Sequence, residues 1–246
     1  MQLPIYFISD IHLNLLRNPD EIARQEHLFS FLRHVGETGG TLFIVGDLFD
    51  FYFEYPDVIP KTYFEFYRVL ADLKDKGIKI HYFLGNHDFW GKEFIQSTLT
   101  DKIYPRDTIV ELDGTKIYVT HGDGILFWDR GYRALKSVLQ HPWFIGFYRW
   151  IHPTLGYAFA RLIANRQKNY PHSEEYNSKV RKEMIGFAAR RNQEGADVVI
   201  TGHYHQAVEI AVNSGKLIIL GDWIRLFTYA IFDGSEIQLR SWDSHA

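Results

Sequence analysis

Five short apolar runs in this sequence each stop and are followed within two residues by aspartate, asparagine or histidine. The fullest case is Leu42-Phe43-Ile44-Val45-Gly46-Asp47-Leu48-Phe49-Asp50. A short run rich in β-branched and aromatic residues reads as a buried strand. In an open α/β sheet, ligands bind at the carboxyl ends of the strands. A carboxylate placed there costs stability unless positive charge sits against it. The other four runs lead into Ser9-Asp10-Ile11-His12, Gly85-Asn86-His87-Asp88, Thr120-His121-Gly122-Asp123 and Gly202-His203-Tyr204-His205. Asp47 therefore reads as a ligand shared by two metal ions.

The order of elements predicts an α/β fold. Residues 5–8, 41–45 and 78–84 read as strands. Residues 21–34 and 63–76 read as the helices between them, with Ile22, Leu28, Phe29 and Leu32 on one apolar face and Phe64, Tyr67, Leu70, Ala71 and Leu73 on the other. This alternation predicts a largely parallel sheet with right-handed crossovers. Further on, 108–112 with 116–120, 208–212 with 216–220, and 227–232 with 237–242 read as hairpins, and 198–201 as one more strand. The expected fold is two stacked sheets, part parallel and part antiparallel, with helices outside.

Residues 125–170 interrupt this pattern. They hold a dense set of aromatics, among them Phe127, Trp128, Trp143, Phe147, Tyr148, Trp150, Tyr157 and Phe159, interleaved with Arg130, Arg133, Lys136, Arg149 and Arg161. Pro142 and Pro153 divide the stretch into short helices. The whole sequence of 246 residues reads as one domain, 1–246, carrying this aromatic-rich helical insertion at approximately 125–170. An apolar insertion with scattered basic residues suits acyl chains and a phosphate, or an anionic membrane surface.

Composition narrows the chemistry. There are no cysteines, which excludes disulfides, thiolate metal sites and cysteine nucleophiles. A net charge of -3 and a pI near 6.5 give no argument for nucleic acid as a partner. The first eight residues read as a strand, not a signal peptide. No uncharged apolar run approaches the roughly 18 residues that span a bilayer. What remains is an Asp/Asn/His donor set, which fits two divalent ions. Two ions about 3.5–4 Å apart clamp the attacking and leaving oxygens of a phosphoryl displacement and bring the pKa of bound water toward ~7.

The ordered motifs Asp10-x-His12, Gly46-Asp47-x-x-Asp50, Gly85-Asn86-His87-Asp88, His121-Gly122-Asp123 and Gly202-His203-x-His205 resemble the calcineurin-like metallophosphoesterase superfamily across residues 9–205. The resemblance implies that superfamily's α/β fold. It implies a first ion on Asp10, His12, Asp47 and His205, and a second on Asp47, Asn86, His121 and His203. It also implies that His87 protonates the leaving group or stabilises the transition state, with Asp50 orienting it.

A narrower resemblance, over nearly the whole chain, is to the UDP-2,3-diacylglucosamine hydrolase family of the lipid A pathway. Ser9-Asp10-Ile11-His12-Leu13, Gly46-Asp47-Leu48-Phe49-Asp50, Thr120-His121-Gly122-Asp123, Asp129-Arg130-Gly131-Tyr132-Arg133 and His141-Pro142-Trp143 carry it. It implies hydrolysis of the pyrophosphate of a diacylated UDP-sugar to UMP and the acylated sugar 1-phosphate, with the helical insertion capping the active site. The implied cofactor is two Mn²⁺ ions, with Mg²⁺, Fe or Zn²⁺ also compatible with the ligands. The implied substrate contacts are Asn86, Asp129, Tyr132, Asn165, Arg166 and Lys168. The implied location is cytoplasmic, with peripheral contact at the inner membrane. The family's best-known branch carries Arg and Glu where this sequence has His87 and Asp50, and Arg166 replaces a smaller polar residue. Two alternatives stand beside this reading: a dimetal phosphoesterase for another phosphodiester or nucleotide, and a non-catalytic scaffold.

Overall fold

The computed structural model describes residues 1–90, 93–164 and 173–243. The first half holds β1 (Ile5–Ile8), α1 (Pro19–Thr38), β2 (Thr41–Val45), α2 (Phe64–Asp75), β3 (Lys79–Phe83), β4 (Lys102–Tyr104), β5 (Thr108–Leu112) and β6 (Thr115–Thr120). The helices α3 (Arg130–Leu139), α4 (Pro142–Trp150), α5 (Pro153–Ala164) and α6 (Glu174–Gln193) follow. The chain ends with β7 (Val198–Thr201), β8 (Ala207–Val212), β9 (Gly215–Leu220), β10 (Thr228–Phe232) and β11 (Ile237–Ser241).

These strands build two mixed sheets, ordered β11-β10-β1-β2-β3-β4 and β5-β6-β7-β9-β8. The parallel pairs β1–β2, β2–β3 and β6–β7 align the strand ends that carry the motifs. Alternate side chains explain the layering, because successive residues of a strand face opposite sides. Ile5, Phe7, Phe43, Val45 and Phe83 meet Val110, Ile117, Val119, Ile200, Ile218 and Leu220 between the sheets. Tyr6, Ile8, Leu42, Ile44, Ile80 and Tyr82 face the other way, toward Leu28, Phe31, Leu32 and Val35 of α1 and Phe66, Leu70 and Leu73 of α2. On the far side, α6 lays Val180, Met184, Phe187 and Ala188 against Val199, Leu217 and Ile219. The result is helices, sheet, sheet, helix, in that order.

Several expected details are corrected. Helix α1 begins at Pro19, because the Asn18 side chain accepts the Glu21 backbone N–H at 2.8 Å. That start turns Glu21, Gln25 and Leu28 inward and leaves Ile22 48% exposed. Phe64, expected on the apolar face of α2, is 62% exposed; the buried stripe is Phe66, Tyr67, Leu70 and Leu73. Strand β4 and helix α6 had no counterpart in the expected elements.

Pro142 opens α4 and Pro153 opens α5, where the missing proline N–H costs nothing. Aromatic contacts fasten α3, α4 and α5 to neighbouring loops. The Tyr157 hydroxyl donates to the Phe53 carbonyl at 2.6 Å, and the Trp90 indole donates to Leu139 at 3.1 Å. Tyr148 packs on Phe53 with ring centroids 4.5 Å apart. The outer side chains are different: Trp143, Phe147, Trp150, Leu155, Phe159 and Leu162 are all more than half exposed.

Candidate metal centre

The ends of β1, β2, β3, β6 and β7 converge, and their loops bring the motif residues together. Asp10, His12 and His205 form one group of donor atoms; Asp47, His121 and His203 form another; His12, Asp47 and His87 overlap both. Asp47 links them. Its Oδ2 lies 3.7 Å from His12 Nε2 and 3.2 Å from His121 Nε2. Asn86 Oδ1 stands 3.1 Å from the same His121 nitrogen.

The backbone is bent to achieve this. Asp10, His12, Asp47, His203 and His205 have φ between 48° and 69°, a region that residues with a Cβ enter only when their surroundings enforce it. Glycines make room for the close approach. A Cβ on Gly85 would lie 2.1 Å from Asp47 Oδ1, and one on Gly202 would lie 2.6 Å from Asp10 Oδ2.

The far side of each ligand is held. His121 Nδ1 contacts the Val45 carbonyl at 2.9 Å, His205 Nδ1 contacts Asp222 Oδ2 at 3.2 Å, and His12 Nδ1 contacts Asp50 Oδ1 at 3.2 Å. Such contacts fix the tautomer and aim Nε2 inward. Asp10 Oδ2 accepts from the Ser9 hydroxyl at 2.6 Å and the His203 backbone N–H at 2.8 Å. Of the eight buried side-chain atoms without a hydrogen-bond partner among the described residues, two belong to these ligands: Asp10 Oδ1 and His12 Nε2, 3.7 Å apart. An oxygen and an imidazole nitrogen facing one space is the donor set of a divalent ion, so these residues fit a metal.

The electrostatics agree. Burial opposes charge on His121, but Asp47 beside it prevails and lifts its pKa to about 10. Burial likewise opposes the Asp47 carboxylate, yet His121, His87 and His12 hold its pKa well below the ordinary value. His203 is driven down to about 4 by burial and by its neighbour His121. In metal-free protein, then, the buried carboxylates draw a proton to His121 and leave its neighbour His203 neutral.

Asp50 behaves differently from its expected role. Its carboxylate faces His12 and accepts from Asn14 Nδ2 at 2.8 Å, while the group that meets His87 Nδ1, at 2.7 Å, is the Asp50 backbone carbonyl. Asp88 receives the backbone N–H of Leu48 and Gly85 and the Tyr82 hydroxyl, contacts that engage both of its oxygens. Asp123 accepts the Tyr132 hydroxyl at 2.8 Å and pairs with Lys136 at 2.5 Å. The Tyr132 ring centroid lies 6.0 Å from that of His203, which places this residue at the centre's edge. Asp129 stands just before α3, where its carbonyl accepts the Arg133 N–H. Asn165, Arg166 and Lys168 lie outside the described residues. Sequence reasoning missed Asp222 and Lys136. Leu220-Gly221-Asp222 repeats the strand-Gly-Asp pattern of Val45-Gly46-Asp47, and could have been found by it.

Beside the centre lies a cavity of about 640 Å³, lined by Gly85, His121, Asp123, Arg106, Lys136 and Gln140 together with Phe83, Phe89 and Ile145. A volume of this order admits a substrate with polar and apolar parts.

A calcineurin-like phosphoesterase family model matches residues 3–207. The chain belongs to the calcineurin-like phosphoesterase family. It is a hydrolase acting on a phosphate ester or pyrophosphate bond. A Porphyromonas gingivalis protein named UDP-2,3-diacylglucosamine hydrolase is 31% identical over 259 aligned residues, which cover 99% of each chain. A protein of the same name from Aeromonas hydrophila is 27% identical, over 88% of this chain and 89% of its own. A solved archaeal phosphodiesterase, 17% identical, superposes with a TM-score of 0.50 over 98% of this chain and 100% of that one, a likeness of fold.

Proposed function

We propose that this phosphoesterase hydrolyses the pyrophosphate bond of UDP-2,3-diacylglucosamine with two Mn²⁺ ions, releasing UMP and 2,3-diacylglucosamine 1-phosphate. One observation carries this choice of substrate. Of the eighteen large apolar side chains most exposed among the described residues, nine fall between Phe127 and Leu162, eight of them on helices α3, α4 and α5. A soluble nucleotide needs no such surface, whereas two acyl chains do. In this reading residues 125–170 are a cap. Its outer aromatics and its basic residues Arg149 and Arg161 meet the cytoplasmic face of the inner membrane, from which the lipid is drawn. No helix among the described residues is long and apolar enough to cross a membrane. The relatives named for this hydrolysis support the same substrate.

Asp10, His12, Asp47 and His205 would hold one ion, and Asp47, Asn86, His121 and His203 the other. When bound, two divalent ions supply Lewis acidity and a nucleophile at neutral pH. The remaining work falls to side chains. His87 gives its Nδ1–H to the Asp50 carbonyl, so Nε2 is the atom that delivers a proton to the leaving oxygen. Lys136, beside Asp123 on the cavity wall, is placed to meet a phosphate oxygen. Tyr132 and Asp123 frame the same wall.

A mass-resolved product assay tests this. Metal-free protein is reloaded with Mn²⁺ and given UDP-2,3-diacylglucosamine in detergent. UMP and the diacylated sugar 1-phosphate should form only with metal. No product, with an aryl phosphodiester still cleaved, would sink the lipid substrate and leave the phosphoesterase. The second reading, another phosphodiester or nucleotide substrate, would then lead. His87 and Asp50, which depart from the best-known branch of the lipid A family, favour it.

A further inference from the structure

Beneath the centre lies a buried ion pair to which the hydrolysis assigns no task. Glu21 and Arg24 sit one turn apart near the start of α1, with side chains 8% and 11% exposed, 2.7 Å from each other. Arg24 spends the rest of its fork on backbone. Nη1 donates to the carbonyls of Ile11 at 2.5 Å and Trp223 at 3.0 Å, and Nη2 donates to that of His12 at 2.9 Å. These carbonyls belong to two loops. One follows β1 and carries Asp10 and His12; the other follows β9 and carries Asp222, the partner of His205. The loops also touch directly, where the Trp223 N–H reaches the Asp10 carbonyl at 3.1 Å.

Glu21 acts on the first loop as well. Its Oε1 accepts the Asn14 backbone N–H at 3.1 Å and the Gln25 side chain at 2.7 Å. Asn14 in turn holds Asp50 at 2.8 Å, and Asp50 holds His12 at 3.2 Å. A continuous chain of contacts thus runs from Arg24 to the outer nitrogen, Nδ1, of the ligand His12.

Net stability is a poor explanation for such a pair, because desolvation takes back most of what the attraction gives. Geometry is a better one. Asp10 and His12 have φ of 54° and 48°, which the surroundings must enforce. A planar guanidinium presents donors at fixed angles to three carbonyls; a lysine ammonium on a flexible stem does not.

We propose that Arg24, anchored by Glu21, is a positioning residue of the metal centre. It fixes the spacing between the loop of Asp10 and His12 and the loop whose Asp222 holds His205. It thereby sets the affinity of the ion on Asp10, His12 and His205, and leaves the ion on Asn86, His121 and His203 unaffected. The inference rests on the dimetal reading of the centre.

Mn²⁺ titration of metal-free protein tests it, followed by calorimetry and by the EPR signal of coupled ion pairs. The proteins are wild type, Arg24→Lys, and the charge-neutral double variant Arg24→Met with Glu21→Gln. Each variant should unfold in one cooperative transition and bind one ion as wild type does. The other ion should bind roughly 10- to 100-fold more weakly, the scale set by losing an outer partner of a ligand. The coupled-pair signal should then need correspondingly more Mn²⁺. Equal weakening of both ions overturns the proposal. So does a lowered melting temperature with an unchanged isotherm, or failure of both variants to fold, since Arg24 would then serve folding alone. Wild-type protein that binds no Mn²⁺ would remove the dimetal reading instead.

Discussion

Replacing Asp222 by asparagine tests how the centre is held from outside. Asp222 is fully buried and bonded four ways, to His205 Nδ1 at 3.2 Å and to the N–H groups of Ile224, Arg225 and Leu226 at 2.9, 2.7 and 3.1 Å. Burial alone would raise its pKa. The contacts with His205 and the backbone N–H groups outweigh burial and hold it at about 2, against an ordinary 3.8. That gap corresponds to roughly 2 kcal/mol of folding stability. Because the folded value lies below the unfolded one, the contribution is present above about pH 4 and is lost as pH falls toward about 2. Asp222→Asn keeps the shape and removes the charge; with its oxygen on the three backbone N–H groups, its NH₂ faces His205 Nδ1, which can accept it only as the tautomer protonated on Nε2. Metal-free variant at neutral pH should therefore lose about 2 kcal/mol, or roughly 4–8 °C in melting temperature for a chain of this size. Urea unfolding of both metal-free proteins, from neutral to about pH 3, measures it. The gap between them should hold down to about pH 5 and close below it. Equal stability at neutral pH, or a gap that widens in acid, would refute the reasoning.

Three other substitutions probe the centre directly. Asp47→Ala removes the oxygen that faces both His12 and His121, so bound-metal analysis should find neither ion retained and turnover should fall more than about 100-fold. His87→Ala should retain both ions and lower turnover roughly 10²- to 10⁴-fold, the range for a lost proton donor; loss of metal in that variant would reassign His87 as a ligand. Gly85→Ala would place a Cβ 2.3 Å from the Asp47 backbone nitrogen, so it should weaken Mn²⁺ binding in calorimetry while the far-UV CD spectrum stays unchanged.

The strand-end motifs were legible because the fold converts sequence order into proximity. Parallel pairing of β1, β2 and β3 puts Asp10, Asp47 and Asn86 side by side with no further information needed. Hairpins were legible from their turns, Asp113-Gly114 and Asn213-Ser214-Gly215. Helix α6 was hidden because charge covers most of its surface, leaving a narrow stripe of Val180, Met184, Phe187 and Ala188. Its signals were capping ones: Ser173 as N-cap, Glu174 and Glu175 in the first turn, Arg190 and Arg191 in the last. Ile22 was misplaced because Glu21 and Gln25 take the inward face, and their burial depends on Arg24 meeting carbonyls from distant loops. The Asp50 carboxylate turned to His12 for a similar reason. Which of two histidines a carboxylate meets depends on a rotamer and on Asn14, and no spacing records that.

The left-handed backbone at Asp10, His12, Asp47, His203 and His205 bears on how such a protein can change over generations. Glycine at any of these positions would relax the main chain by roughly 1 kcal/mol while deleting a donor atom. Relief of that strain favours losing these side chains, while the hydrogen bonds and ion contacts they make, and metal once bound, oppose it. A lineage released from selection for hydrolysis should keep the two sheets and, at these five positions, admit glycine more readily than any other replacement.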